Sequence, residues 1–208
     1  TLRVTMAAMV IQELAACDLA GAVGVIARAM RNNPMDVAAL GDDPDLRLRR
    51  LQRMFAIALP GMLRKGVILG AFDGSTLGGF AAMLPPGCRQ PSAFEKMTLA
   101  PRLLPALGIR GFSRLGRWLG EWDRHDLNEP HWHLGPIGVD THLHGRGLGR
   151  ALVEACCVQI DRAGAAGYLE TDKPQNVTFY NKHGFETVGE ATILGTRNWF
   201  MRRPRKAS

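Results

Sequence analysis

HWHLGPIGVDTHLHGRGLGRALVEACCVQIDRAGAAGYLETDKPQNVTFYNKHGF, residues 131–185, is the stretch whose reading decides the fold. His131–Val139 alternates as a strand does. Gly135-Pro136 sits inside it, and proline cannot donate a ladder hydrogen bond, so a bulge or a parting of strands is expected there. A glycine turn follows. Leu148, Leu152, Cys156 and Ile160 then form a helical stripe to about Ala163. Tyr168–Thr171 returns as a strand. Asn176 is a candidate cap for a short helix running to His183, with Gly184 ending it. A strand, a helix and a strand in that order predict two parallel strands joined by a right-handed crossover.

Working outward, residues 2–10 read as a first strand. Asp18 is a candidate cap for a helix with Leu19, Val23, Ile26 and Met30 on one face, stopped by Asn32-Asn33-Pro34. Asp43-Pro44-Asp45 supplies a cap, a proline at the first helical position and an acid in the first turn. Leu48, Leu51, Phe55 and Leu59 follow on one side, and Pro60-Gly61 ends or bends that helix. Residues 67–72 and 77–84 flank Asp73-Gly74-Ser75-Thr76, a hairpin signal. Residues 87–129 read as an insertion between strands. Its second half places Phe112, Leu115, Leu119 and Trp122 at spacings of three and four, a helix readable as packing over the sheet or as a lid over a substrate pocket, two compatible readings. Residues 185–194 and 198–202 supply the last strands.

Composition bounds the function. A chain of 208 residues, 46% hydrophobic and 22% charged, fits one globular domain over residues 1–208. Its longest apolar runs fall short of a bilayer, and Gln12 and Glu13 interrupt the N-terminal apolar stretch, so neither a membrane partner nor a signal peptide is expected. Cys17, Cys88, Cys156 and Cys157 form neither a zinc pattern nor a disulfide framework, which predicts reduced thiols, a cytoplasmic location and no metal. The charge of +7 gathers in Arg102, Arg110, Arg114 and Arg117 and in a tail, Arg197, Arg202, Arg203, Arg205 and Lys206, that reads as a solvated end. No basic run is interleaved with exposed aromatics, so no nucleic-acid partner is expected.

His144-Gly145-Arg146-Gly147-Leu148-Gly149-Arg150 follows a strand and opens a helix. Glycines let several N–H groups point at one spot, and a helix N-terminus and arginines add positive charge, which suits a diphosphate. Arg150 stands where a Rossmann loop has its third glycine, and the GK[ST] of a Walker loop is missing. Taken alone, the heptapeptide is equally readable as a turn without a ligand.

The wider pattern narrows this. HxxGxGxxL from His144, preceded by Val139, resembles the acetyl-CoA signature of the GCN5-related N-acetyltransferase (GNAT) superfamily, with His144 where Gln or Arg is usual. YLET (168–171), NVTFY (176–180), HGF (183–185) and WFMRR (199–203) continue the likeness. With HW-x-L ahead of the strand they are most similar to the puromycin N-acetyltransferase-like branch. The resemblance implies an α/β (mixed α+β) GNAT, or acyl-CoA N-acyltransferase, fold: a twisted mixed sheet of about seven strands, splayed between strands 4 and 5 and flanked by helices. It implies acetyl-CoA as cosubstrate, with Ile137, Gly138 and Val139 on the pantetheine, residues His144, Gly145, Arg146, Gly147, Leu148, Gly149 and Arg150 at the diphosphate, and Asn176, Phe179 and Tyr180 completing the contacts. Asn176 lies four residues before Tyr180 rather than the usual seven.

By the same resemblance Tyr180 is the general acid that protonates the leaving thiolate. His133 stands where some members carry a glutamate base, and a histidine suits that task. Glu170, on the neighbouring strand, is a rival base or acceptor contact, with Glu121 and Asp123 further rivals. His131 shares the His133 face, Trp132 lies opposite, and His125, His142 and His183 read as surface residues. No cysteine or serine stands in a nucleophile's context. The expected activity is acetyl transfer to a primary amine of a small molecule in a ternary complex, by a monomer or homodimer. Alternatives are a protein lysine or N-terminal acetyltransferase and a non-catalytic acyl-CoA-binding domain.

Overall fold

The computed structural model describes residues 3–6, 9–88 and 93–206. The N-terminal run forms a hairpin of two strands, β1 (Arg3–Met6) and β2 (Met9–Glu13), where the sequence reading has one. Residues 2, 7 and 8 of that reading lie outside the described part.

Helix α1 (Leu19–Met30) buries Ala22, Val25, Ile26 and Ala27. Asp18 is not its side-chain cap. Its carboxylate accepts the Ala15 N–H instead, at 2.7 Å, closing a 3₁₀ turn at the helix entrance. The stop at Asn33-Pro34 is also a start, because Pro34 opens α2 (Pro34–Leu40), where its missing N–H costs nothing. In α3 (Pro44–Lys65), Asp43 accepts from the amides of Asp45 and Leu46. Leu51, Phe55 and Leu59 are buried, and the helix runs through Pro60 to Lys65 rather than ending there.

Strands β3 (Val67–Asp73) and β4 (Thr76–Leu84) form the expected hairpin, with Gly74 in the left-handed region at φ +62°. The 87–129 segment holds one long helix, α4 (Ala93–Arg124), broken at Gly108 (φ 72°, ψ 163°). Its inner face carries Leu107, Leu115 and Trp118; Leu119, expected there, is 45% exposed. The 100° step per residue puts 111, 115, 118 and 122 on one side and leaves 119 beside it. Then come β5 (His131–Val139), α5 (Leu148–Arg162), β6 (Ala166–Thr171), α6 (Pro174–Asn181), β7 (Glu186–Ile193) and β8 (Thr196–Arg203).

The eight strands make one mixed sheet, ordered β1-β2-β3-β4-β5-β6-β8-β7. Only β5 and β6, the fourth and fifth strands of the sequence reading, run parallel. Strand alternation divides the core in two. Ile68, Phe80, Ala82, Tyr168 and Phe200 face α1, α2, α3 and α4. Leu69, Ala81, Met83, Leu134, Leu169 and Met201 face α5 and α6. The α5 stripe of Leu148, Leu152, Cys156 and Ile160 is buried throughout, so Leu152→Ala would cost about 2–5 kcal/mol. Among the described residues, no helix is long and apolar enough to cross a membrane.

The C-terminal cations are a solvated end only in part: Arg197, Arg205 and Lys206 are exposed, but Arg202 and Arg203 are not. Arg203 is buried and donates to Asp161 and to the His183 carbonyl, while Arg202 pairs with Glu129 at 2.5 Å. The last strand crosses the protein interior, so its charges need partners.

Candidate active site at the parting of two strands

β5 and β6 pair only at their first three positions: His131 with Ala166, Trp132 with Gly167 and His133 with Tyr168. Beyond His133 the strands part. On its other side β5 shifts register against β4 between Ala81 and Met83, opposite Gly135-Pro136. The proline thus brings a bulge on one edge and a parting on the other. Ile137, Gly138 and Val139 bond to β4 along one edge, leaving the edge toward β6 without a ladder partner. Helix α1 presses on this segment. A Cβ at Gly138 would stand 2.7 Å from the Ala29 Cβ and 3.0 Å from Ile26, so only glycine fits.

The glycine turn lies at the end of β5. A 3₁₀ turn, Thr141–Leu143, precedes it. Gly145 and Gly147 take φ +79° and +84°, and Gly147 is the left-handed N-cap of α5 without a side-chain capping bond. From residue 145 onward, Ala151 is the first to give its N–H to a backbone carbonyl among the described residues, that of Gly147 at 3.0 Å. The amides of residues 145–150 are therefore unclaimed at the positive end of a helix, an arrangement that accepts an anion.

The side chains around the turn are tied elsewhere. His144 Nε2 lies 3.0 Å from the Val139 carbonyl oxygen. Arg146 pairs with Asp73 of the β3–β4 turn at 2.7 Å, and Arg150 with Glu154 at 2.7 Å, both in exposed positions. Leu148 packs inward. Asp140, 2% exposed, ends β5 and secures the turn: its N–H donates to the Gly78 carbonyl, and its carboxylate meets Arg28 of α1 at 2.6 Å and His142 at 3.0 Å. Nothing in the spacing of Arg28 and Asp140 reveals this anchor, which links a helix to a loop over a hundred residues away.

Of the proposed chemical residues, two meet and the third stands apart. His133 and Glu170 face the side covered by α1–α4, with Nε2 and Oε2 2.8 Å apart across the parting. Tyr180 belongs to the opposite core, under α5 and α6, beside Phe179 at a ring distance of 5.3 Å. It is 8% exposed. Burial, aided by the nearby Cys156 and Asp172, pushes the phenol well above its ordinary value, so it keeps its proton. Phe179 is half-buried and also edges His183. Asn176 is not the helix cap. Pro174 occupies the first helical position, and Asn176, in the first turn, donates to Thr171 Oγ1 at 3.1 Å. Glu121 pairs with Arg124 at 2.5 Å, and Asp123 is exposed on α4. Of the histidines read as surface residues, His142 is exposed, His183 is half-buried, and His125 stacks on Phe200 at 4.2 Å.

A second pair of acids escaped the sequence reading. Asp172, just past β6, accepts from Met35 N and Asn33 Nδ2, each at 2.6 Å, and so caps α2 from 137 residues away. Asp36 lies beside it, 3% exposed. Burial first, then the Asp172 charge, raises its carboxyl from 3.8 to about 8. The one sequence signal is Asp172 directly after a strand end. Its partner on α2 became visible only in the fold. Among the described residues, no group of three His, Cys, Asp or Glu side chains could hold a metal ion.

Residues 108–187, which span the parting and the glycine turn, match the family model described as an acetyltransferase (GNAT) domain. Solved structures agree over nearly the whole chain. One is described as histone acetyltransferase HPA2 and related acetyltransferase, from Corynebacterium glutamicum, with a TM-score of 0.75 and 21% identity over 95% of this chain and 97% of that one. The ribosomal-protein-S18-alanine N-acetyltransferase of Escherichia coli gives 0.57 and 16% over 96% of each. A GNAT acetyltransferase of Brucella melitensis, solved with acetyl-CoA, gives 0.53 and 17% over 96% and 92%. The class of protein is thereby defined: this chain has the GNAT acetyltransferase fold.

Proposed function

We propose that this chain is an acetyl-CoA-dependent N-acyltransferase that moves an acetyl group to a primary amine of a small molecule, by direct attack in a ternary complex. The observation that carries the reading is the strand edge at 137–139, left without a partner by β6 and leading straight into the unclaimed amides of 145–150. An extended pantetheine arm bearing amides suits the first, and a diphosphate suits the second. Arg146 and Arg150 lie close enough to exchange their carboxylate partners for phosphate oxygens, and Asn176 and Phe179 border the same end of β6. Acetyl-CoA supplies an activated thioester. Tyr180, kept protonated by burial, is the donor to the departing sulfur, and His133 and Glu170 lie on the face from which an amine would approach.

The small-molecule reading is supported by α4, which covers the sheet where Trp122 Nε1 donates to Asn198 of β8 at 3.1 Å. A roof there narrows the approach to the His133 face. In this reading the chain is a single domain with 87–129 as its insertion, working in the cytoplasm without metal or nucleic acid. The likeness of its HW-x-L, YLET and WFMRR segments supports the puromycin N-acetyltransferase-like branch. The test is calorimetric binding of acetyl-CoA followed by thiol release with primary amines and with lysine-bearing peptides. Turnover of peptides alone would replace the small-molecule acceptor by a protein, and binding without any turnover would leave an acyl-CoA-binding domain.

A further inference from the structure

His131 and His133 lie two residues apart on the same face of β5, yet their rings are held differently. His131 has both nitrogens engaged: Nδ1 lies 2.8 Å from the Glu129 carbonyl oxygen and Nε2 lies 3.1 Å from Asp126 Oδ1. Its ring also edges Tyr168 at 5.2 Å. That is how a histidine is held in a structural role. His133 has one nitrogen engaged. Nε2 meets Glu170 at 2.8 Å, while Nδ1 is buried and has no hydrogen-bond partner among the described residues. A buried polar nitrogen left bare is costly, and proteins seldom tolerate one without a use for it.

The chemistry of the partners orients the ring. An ionised Glu170 can only accept, so the proton of a neutral His133 must sit on Nε2. Nδ1 is then a bare lone pair. Its carboxylate partner is 2% exposed, so water competes little for the bond. The pair also sits at a decisive place. His133 is the last residue of β5 to pair with β6, and Glu170 stands two residues beyond its partner Tyr168. The bond between them therefore spans the gap where the strands begin to part.

We propose that His133 and Glu170 form a dyad in which Nδ1 of His133 takes the proton of the attacking amine and Glu170 is the positioning residue that holds the ring and its tautomer. The inference rests on the acetyl-transfer reading. The amine nitrogen forms its bond to the acetyl carbon and gives one proton to Nδ1. The carbon–sulfur bond breaks with its electron pair on sulfur, which takes the proton of the Tyr180 hydroxyl. His133 then loses its proton to solvent and Tyr180 regains one, so N-acetylamine and free thiol leave a restored protein. The acid and the base lie on opposite faces of the sheet, and His133 stands where the ladder of β5 and β6 ends.

The test starts from the unliganded protein, where no acceptor need be known. Two-bond ¹H–¹⁵N correlation spectra at neutral pH should show the His133 proton on Nε2 and a bare Nδ1. A proton on Nδ1, alone or with Nε2, overturns the dyad. Glu170→Gln, nearly isosteric, should mix the tautomers and lower kcat about 100-fold for the best acceptor among a panel of primary amines, while KM for acetyl-CoA changes less than about twofold. An unchanged kcat overturns the positioning role. Glu170→Asp keeps the carboxylate at shorter reach and should recover part of the rate, whereas an equal loss in both variants points to packing alone and also overturns it. Acetyl-CoA binding is read separately by calorimetry: its absence would sink the acetyl-transfer reading whatever the tautomer shows.

Discussion

The glycine turn at 144–150 and the His133–Glu170–Tyr180 region lie at the two ends of one parting in the sheet, and they are built from different materials. The turn is made of backbone. Its positive φ values at Gly145 and Gly147 and its unclaimed amides come from local chain geometry, and its charged side chains are exposed and paired with surface acids. The candidate chemical end is made of side chains from β5, β6 and α6, with His133 and Tyr180 buried and His133 Nδ1 without a hydrogen-bond partner among the described residues. On the acetyl-transfer reading, backbone binds a charge that never changes during the reaction. Side chains in a low-dielectric setting are needed where protons move, because their protonation answers to the surroundings. Substitutions in the two regions should therefore fail in different ways: in affinity at the turn, in rate at the chemical end.

The largest effect is expected at Tyr180. Tyr180→Phe should lower kcat by roughly 100- to 1000-fold and leave acetyl-CoA affinity and melting temperature nearly unchanged, since the ring keeps its packing beside Phe179 and Phe185. Thiol release checks the first and calorimetry the second; full activity would remove Tyr180 from the mechanism. Gly147→Val gives the opposite pattern. A β-branched residue at φ +84° is strained by about 1–3 kcal/mol, and the side chain crowds the amides. Acetyl-CoA binding should weaken about tenfold or more, with kcat at saturation little changed. Equal losses of rate and affinity in either variant would erase the division drawn above.

A third test uses pH. Asp36 holds a proton in the folded state up to about pH 8 but would release it near 3.8 when unfolded. Between those values the folded state binds more protons, so stability falls as pH rises through that window. Asp36→Asn removes the penalty. Its melting temperature should exceed that of the parent by roughly 5 °C at pH 8, with the gap closing toward pH 4. A gap that stays constant with pH would mean that the carboxyl keeps its charge inside the fold. The smallest effect is expected at Arg146. Its pair with Asp73 is 60% exposed on the arginine side, so Arg146→Ala should shift stability by less than about 1 kcal/mol. It should weaken acetyl-CoA binding severalfold at low salt, a loss that shrinks as salt screens the phosphate charge.

The legibility of the two regions differs for the same physical reason. Gly145 and Gly147 in a turn, a proline within a strand and an apolar stripe at helical spacing are local rules, and each held in the fold. Local rules failed where a residue found a distant partner instead. Asn176 reads as a cap, but Pro174 starts the helix and Asn176 turns back to Thr171. Asn33 opens α2 without capping it, because Asp172 does so from β6. Asp18 serves the turn before α1 rather than α1 itself.

The sequence by itself determined the order of strands and helices from β3 onward, the place where β5 must part from a neighbour, and the glycine turn that follows, since all of these depend on the φ, ψ and hydrogen-bonding limits of residues close together in the chain. Only the tertiary structure decided which of two like histidines keeps a free nitrogen, that Glu170 meets it, that Tyr180 lies on the other face, and that Asp36 and Asp172 share one buried corner. Those outcomes depend on which side chains meet after the sheet has closed, and on how much water each loses in doing so.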